Sequence, residues 1–361
     1  MVSALEHMAA VGSREQGKNA AKRASGESLS ADDTDHQRSD KNATAGLSAS
    51  PNRPRLAAVT LGDFLEREIP IPEMLLAPII TRQSLSMVYA WRGVGKTWFG
   101  LGCAYAIASG GKFLNWTASC PQRVLYLDGE MPAAALQKRL FCIVKGYETE
   151  APADFFKLVT PDLCAGLVPD LATLEGQTAV DELIAETDAS FIVIDNLSCW
   201  IRSGGAENEA ESWRTVQEWL LRHRSIGRAI LLVHHAGKDG SQRGTSKRED
   251  ILDLSLELRR PPSYEPEQGA AFVVDFRKSR HLTGKDAEPF EASLRVGVDG
   301  ATAWAVTAAK QSTYDRVVEL AGLGLIQKDI AEELGLNKSS VSRHWNKAVE
   351  AGLIRHKATP E

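Results

Sequence analysis

The chain has 361 residues, 43% hydrophobic and 25% charged, which is a globular composition with length for one large or two ordinary domains. A net charge of −5 supplies no global attraction to nucleic acid or anionic membrane, so any such contact must come from a local basic patch. The five scattered cysteines form no Cys-x-x-Cys pair, the N-terminus lacks the apolar core expected of a signal peptide, and no apolar run is long enough to span a bilayer; reduced, buried thiols in a cytoplasmic protein without membrane contact are expected.

Residues 1–57 are rich in Ala, Ser, Gly and mixed charges and too poor in large apolar groups to offset ordering entropy, so this tail is expected to be disordered. A domain is expected over 58–309. It opens with Leu61, Phe64, Leu65 and the Pro-punctuated run Ile69 to Leu76, which read as a docking segment laid across a core. Ser86 to Tyr89 is a short apolar strand, and Trp98 to Ala108 has helical periodicity. Between them stand Ala90, Trp91, Arg92, Gly93, Val94, Gly95, Lys96 and Thr97.

Strand, glycine-bearing loop, Gly-Lys-Thr and helix form the context of a phosphate-binding loop. Its backbone N–H groups and the helix N-terminus would cradle phosphate oxygens from Ala90 to Trp98. Lys96 would reach the β- and γ-phosphates of ATP, and the Thr97 hydroxyl would hold Mg²⁺. Ala90 stands where the usual pattern has its first glycine, which is acceptable while φ stays negative there.

Four further strands are read at Arg123 to Glu130, ending in acids, Phe155 to Thr160, Phe191 to Asp195 and Ala229 to His235, with helices interposed. Continuous apolar strands alternating with helices predict a mostly parallel sheet covered on both faces. Asp195 fits a second Mg²⁺ ligand. Glu130 is the first candidate for the base that activates water, with Asp128 as the alternative. Of the tandem His234 and His235, the latter is the candidate γ-phosphate sensor. Strands from Leu254 onward follow without helices and predict antiparallel additions to the sheet.

From Ser312 the pattern is helical. Ile330, Ala331, Leu334, Gly335, Leu336 and Val341 have the spacing of a helix-turn-helix within an all-α domain at 310–361. The second helix would present Lys338, Ser339, Ser340, Ser342, Arg343, Asn346 and Lys347 to DNA. The polar loop with Lys238, Arg243, Lys247 and Arg248 is a second candidate, able to track a single-stranded backbone by charge alone.

In order and spacing, Ala90 to Thr97, Asp128-Gly129-Glu130, Val193 to Asn196, His234 to Lys238 and Arg243 to Ser246 resemble the RepA branch of the RecA-like ATPases, near the DnaB-type hexameric helicases. The resemblance covers about residues 59–300 and implies an α/β RecA-like phosphate-loop core. It implies Glu130 as catalytic base, Asp195 on Mg²⁺, His235 as sensor, and a trans-acting basic finger, for which Lys278 and Arg280 are the available pair. It also implies a hexameric ring of this chain acting on DNA; with no primase segment recognisable in the sequence, a separate primase or initiator is expected as a further partner. A replicative helicase or loader is the first expectation; a DNA-binding regulator using ATP as an assembly switch is the second. A module without turnover is the third, and the intact Lys96, Thr97, Glu130 and Asp195 argue against it.

Overall fold

The computed structural model describes residues 57–164, 167–202, 205–237, 248–261, 264–265, 269–309 and 313–354. The expected disorder of the tail and the loop residues 238–247 lie outside them. Two units divide at Glu68. In the first, Thr60 caps the short helix α1 (Leu61–Glu66) by accepting a hydrogen bond from Asp63 N at 3.1 Å.

The second unit begins with the antiparallel pair β1 (Met74–Leu76) and β2 (Ile80–Thr81). Then come β3 (Leu85–Ala90), α2 (Lys96–Ser109), the small pair β4 (Lys112–Phe113) and β5 (Trp116–Thr117), β6 (Val124–Asp128), α3 (Ala133–Lys145) and β7 (Phe156–Val159). They are followed by α4 (Leu174–Thr187), β8 (Phe191–Asp195), α5 (Leu197–Trp200), α6 (Gly205–Ser225), β9 (Ala229–His235), β10 (Leu254–Arg259), β11 (Ala271–Ser279), β12 (Phe290–Val296) and β13 (Thr302–Ala308). Three helices finish the chain: α7 (Thr313–Gly322), α8 (Gln327–Glu333) and α9 (Lys338–Glu350).

One nine-stranded sheet runs in the order β13-β12-β11-β10-β3-β9-β8-β6-β7. Its strands from β10 to β7 are parallel, and β11 to β13 are antiparallel. The central strands are buried on both faces, which is why they read as unbroken apolar runs. One face carries a core of Phe99, Phe113, Trp116 and Phe272. The other carries Trp200, Trp213 and Trp219.

Two expectations are corrected. β10 is parallel to β3, with Leu254 opposite Ser86 and Leu258 opposite Ala90. The chain from 236 to 253 supplies the dozen or more residues that a parallel crossover needs. Of the Pro-punctuated run expected to lie across a core, Ile69 and Ile71 are exposed, while Leu75 and Leu76 are buried. Leu75 and Leu76, on β1, pack into the core that holds Phe99. All five cysteines are free, as expected, but only Cys103 is buried.

Candidate nucleotide site and helix-turn-helix

β3 delivers the chain to the carboxyl edge of the sheet at Ala90, which is fully buried and whose φ is not positive. The loop then turns through Gly93 (φ 76°) and Gly95 (φ 122°), conformations that only glycine adopts without strain. Trp91 and Arg92 are exposed and Val94 is buried, anchoring the loop tip. Lys96 is 7% exposed; its ammonium donates to the carbonyls of Ala90 (3.1 Å) and Trp91 (3.2 Å). Burial pushes the Lys96 pKa down, and the charges of Asp195 and Glu130 oppose that shift. Trp98 receives the Arg139 guanidinium 5.4 Å above its ring.

Neighbouring strands bring the acids in. Asp195 ends β8 at 4% exposure, accepting from the Tyr126 hydroxyl at 2.6 Å and lying within hydrogen-bonding reach of Thr97. Burial raises its pKa; the Tyr126 and Thr97 hydrogen bonds and Lys96 act against this. Asp128 is pushed up to about 6 by burial and by the adjacent Asp195. Its oxygens accept from Met131 N (3.1 Å) and Thr160 Oγ1 (3.2 Å), so it closes the turn into α3. Glu130, two residues on, is the exposed acid and takes a hydrogen bond from the Asn196 amide. His235 Nε2 lies 3.8 Å from Glu130 Oε2. Burial first, then Lys96, lowers the His235 pKa, which favours the neutral ring.

Lys96, Thr97, Glu130, Asp195 and His235 therefore gather at one end of the sheet. Among the described residues, no group of three or more His, Cys, Asp and Glu side chains could hold a metal alone. The backbone of the glycine loop, the buried ammonium and the hydroxyl–carboxylate pair of Thr97 and Asp195 fit a Mg²⁺-nucleotide.

Other predicted residues fall elsewhere. His234 is 2% exposed and contacts Arg248 through Nε2 at 3.0 Å. Arg248 also lies 5.3 Å over the Trp213 ring, so it is buried rather than lining a surface for a nucleic-acid backbone. Lys278 donates to the carbonyls of Glu249 and Asp250, and Arg280 to Asp253 Oδ1 (3.2 Å) and Asp250 O (2.9 Å). Ser279 pairs with Leu254, itself opposite Ser86 at the start of β3. The pair thus sits at the amino edge, about 13 Å along the sheet from the phosphate loop by strand rise. Sequence reasoning missed Tyr126, Asn196 and Arg260, the last donating to Gly93 O at 3.3 Å. The amide immediately after Asp195 was the only local signal among them.

At the C-terminus, Val317, Leu320, Ile330, Ala331 and Val341 form a small core with Leu334, Leu336 and Trp345 against it. Gly335 turns at φ 62°, and Asn337 caps α9 by accepting from Ser340 N at 2.8 Å. The second helix exposes Lys338, Ser339, Arg343, Asn346 and Lys347; Ser340 and Ser342 are half-buried. This is the expected helix-turn-helix, following the expected α/β core of mostly parallel strands. Among the described residues, no helix is long and apolar enough to cross a membrane.

No curated protein matches the chain. Among solved structures, a KaiC-like protein from Pyrococcus horikoshii is similar at 15% identity and TM-score 0.42, over 64% of this chain and 93% of that one. Residues 317–361 match the MarR family. Residues 50–241, more than half of the chain, match the AAA domain family, and to that family this chain belongs.

Proposed function

We propose that the protein binds and hydrolyses ATP with Mg²⁺ and couples turnover to DNA, as a RepA-like motor assembled in a ring of its own copies, acting as a replicative helicase or its loader. The observation that carries the reading is the convergence of Lys96, Thr97, Glu130, Asp195 and His235 at the carboxyl edge, on a chain that also bears a helix-turn-helix.

Thr97 and Asp195 would hold Mg²⁺, and the chemistry it would supply when bound is neutralisation of charge developing on the phosphates. Lys96 would leave its loop carbonyls for the phosphate oxygens. Glu130 would take the proton of the attacking water, and neutral His235 would hydrogen-bond the γ-phosphate and release it on cleavage. The exposed cations of α9 would contact duplex DNA.

One observation favours the second reading, an ATP-dependent assembly switch without unwinding. Arg248 is buried against His234 and Trp213, which removes one cation from the loop expected to track a single strand. Two assays test the reading. Lys96→Ala should abolish ATP turnover while the fold survives; normal turnover in that variant rejects the phosphate loop as the site. ATP-dependent strand displacement by the wild type supports the motor, and ATP-dependent duplex binding without displacement supports the switch.

A further inference from the structure

Tyr126 lies in the middle of β6, opposite Val193 of β8, and carries its hydroxyl across to Asp195 Oδ2 at 2.6 Å. Both side chains are buried. The ring stacks on Phe156 at 6.4 Å between centroids and 17° between planes. Above the hydroxyl runs α2, the helix that the phosphate loop begins. Its Gly100 faces the phenol so closely that a Cβ there would lie 3.1 Å from the Tyr126 oxygen. The missing side chain leaves room for the phenol to reach the carboxylate.

We infer that Tyr126 is a positioning residue for the metal: its hydroxyl fixes the Asp195 carboxylate so that this acid, within reach of Thr97, is presented to Mg²⁺. This rests on the reading of Thr97 and Asp195 as the metal-holding pair. A buried carboxylate needs donors, and the Tyr126 hydroxyl supplies one at 2.6 Å. Asp128 stands directly opposite Asp195 in the sheet, so a like charge pushes the carboxylate away from its place. A donor on one oxygen holds it against that push. Partners of this kind, one step out from a metal, commonly change metal affinity by about 10- to 100-fold when removed.

The test compares wild type with Tyr126→Phe, which keeps the ring and its packing and removes only the hydroxyl. Binding of a fluorescent, non-hydrolysable ATP analogue is followed at equilibrium during a MgCl₂ titration, and again in EDTA. The Mg²⁺ concentration for half-maximal enhancement should rise roughly 10-fold or more in the variant. Affinity in EDTA should stay within about twofold, because the phosphate loop, which supplies the metal-independent contacts, is untouched. A purely structural tyrosine would alter both conditions alike. Gly100→Ala, which crowds the hydroxyl without deleting it, should move the Mg²⁺ requirement in the same direction, and it serves if Tyr126→Phe does not fold. Equal Mg²⁺ requirements in wild type and folded variant overturn the role of Tyr126. Absence of any Mg²⁺ effect in the wild type overturns the metal reading of Thr97 and Asp195, and this inference with it.

Discussion

The Asn196 side chain donates to Oε2 of Glu130, and its own Oδ1 accepts from Ser198 N at 3.1 Å. The amide is therefore pinned at the start of α5 and holds an acid that otherwise projects into solvent. Glu130→Gln keeps the shape but cannot accept a proton. ATP should still bind and remain uncleaved, with a single-turnover rate lower by about 100-fold or more. Asn196→Ala should leave nucleotide affinity nearly unchanged and lower the rate by a smaller factor, since Glu130 keeps its chemistry and loses its orientation. A Glu130→Gln rate close to wild type would move the base elsewhere, although Asp128 is already occupied by Met131 N and Thr160.

A pH dependence is built far from that site. His223 is 3% exposed; its Nε2 lies 2.8 Å from Asp181 Oδ1 and its Nδ1 3.1 Å from an Arg228 guanidinium nitrogen. The neutral ring satisfies both contacts, donating to Asp181 and accepting from Arg228. Burial lowers its pKa, more than Asp181 raises it. The unfolded chain then binds the proton more readily than the folded one, so stability is full above the ordinary histidine pKa and is lost as pH falls through the depressed value. Urea unfolding from pH 7.5 to 5 should show wild type losing more stability than His223→Gln, by about 1.4 kcal/mol for each pH unit of depression. Parallel curves for the two proteins would remove His223 as the cause.

What the sequence reveals of the fold and the site depends on the range of each interaction. The phosphate loop, the Asp195 strand end and the turn at Gly335 are local patterns, each complete within a short stretch of chain. The bond from Tyr126 to Asp195 joins residues 69 apart, and that from Asn196 to Glu130 joins residues 66 apart. Both depend on β6 and β8 being neighbours in a given register, which composition does not state. The burial of Arg248 has the same origin: in sequence it is one of several cations in a polar run, and only the fold sets it against Trp213. Sequence ranks Glu130 ahead of Asp128 as the base without disposing of the second. Thr160, just past the end of β7, donates to the Asp128 carboxylate across 32 residues of chain, a contact that no local pattern states.

DNA contact through α9 makes a prediction about salt. Arg343 is exposed, and Lys347 is exposed with its ammonium 5.3 Å from the Tyr314 ring centre. Each cation that no longer meets a phosphate should reduce the slope of log affinity against log salt by about one. Arg343→Ala and Lys347→Ala should each weaken binding to a labelled duplex at low salt, and the double variant should bind more weakly than either. Fluorescence anisotropy across a salt series reads both quantities. Unchanged affinity and slope in the double variant would assign the helix-turn-helix to protein contacts instead.

Lys278 and Arg280 lie at the amino edge of the sheet, while the phosphate loop lies at the carboxyl edge. They cannot serve the nucleotide of their own chain from there. In the ring proposed above, they would serve a neighbour's. Charge developing on the γ-phosphoryl group calls for a cation beyond Lys96, and a guanidinium is rigid, always charged and able to bind two oxygens. Arg280 would first have to share or release Asp253, which also pairs with Arg224 at 3.2 Å and so keeps a cationic partner when Arg280 moves. Losing such a finger costs on the order of 10³-fold in rate. Arg280→Ala and Lys96→Ala should each be nearly inactive alone. Mixed, they create interfaces that join an intact phosphate loop to an intact finger, and partial ATPase activity should return. A mixture that stays inactive although mixed assemblies form, or full activity in Arg280→Ala alone, would reject the trans role.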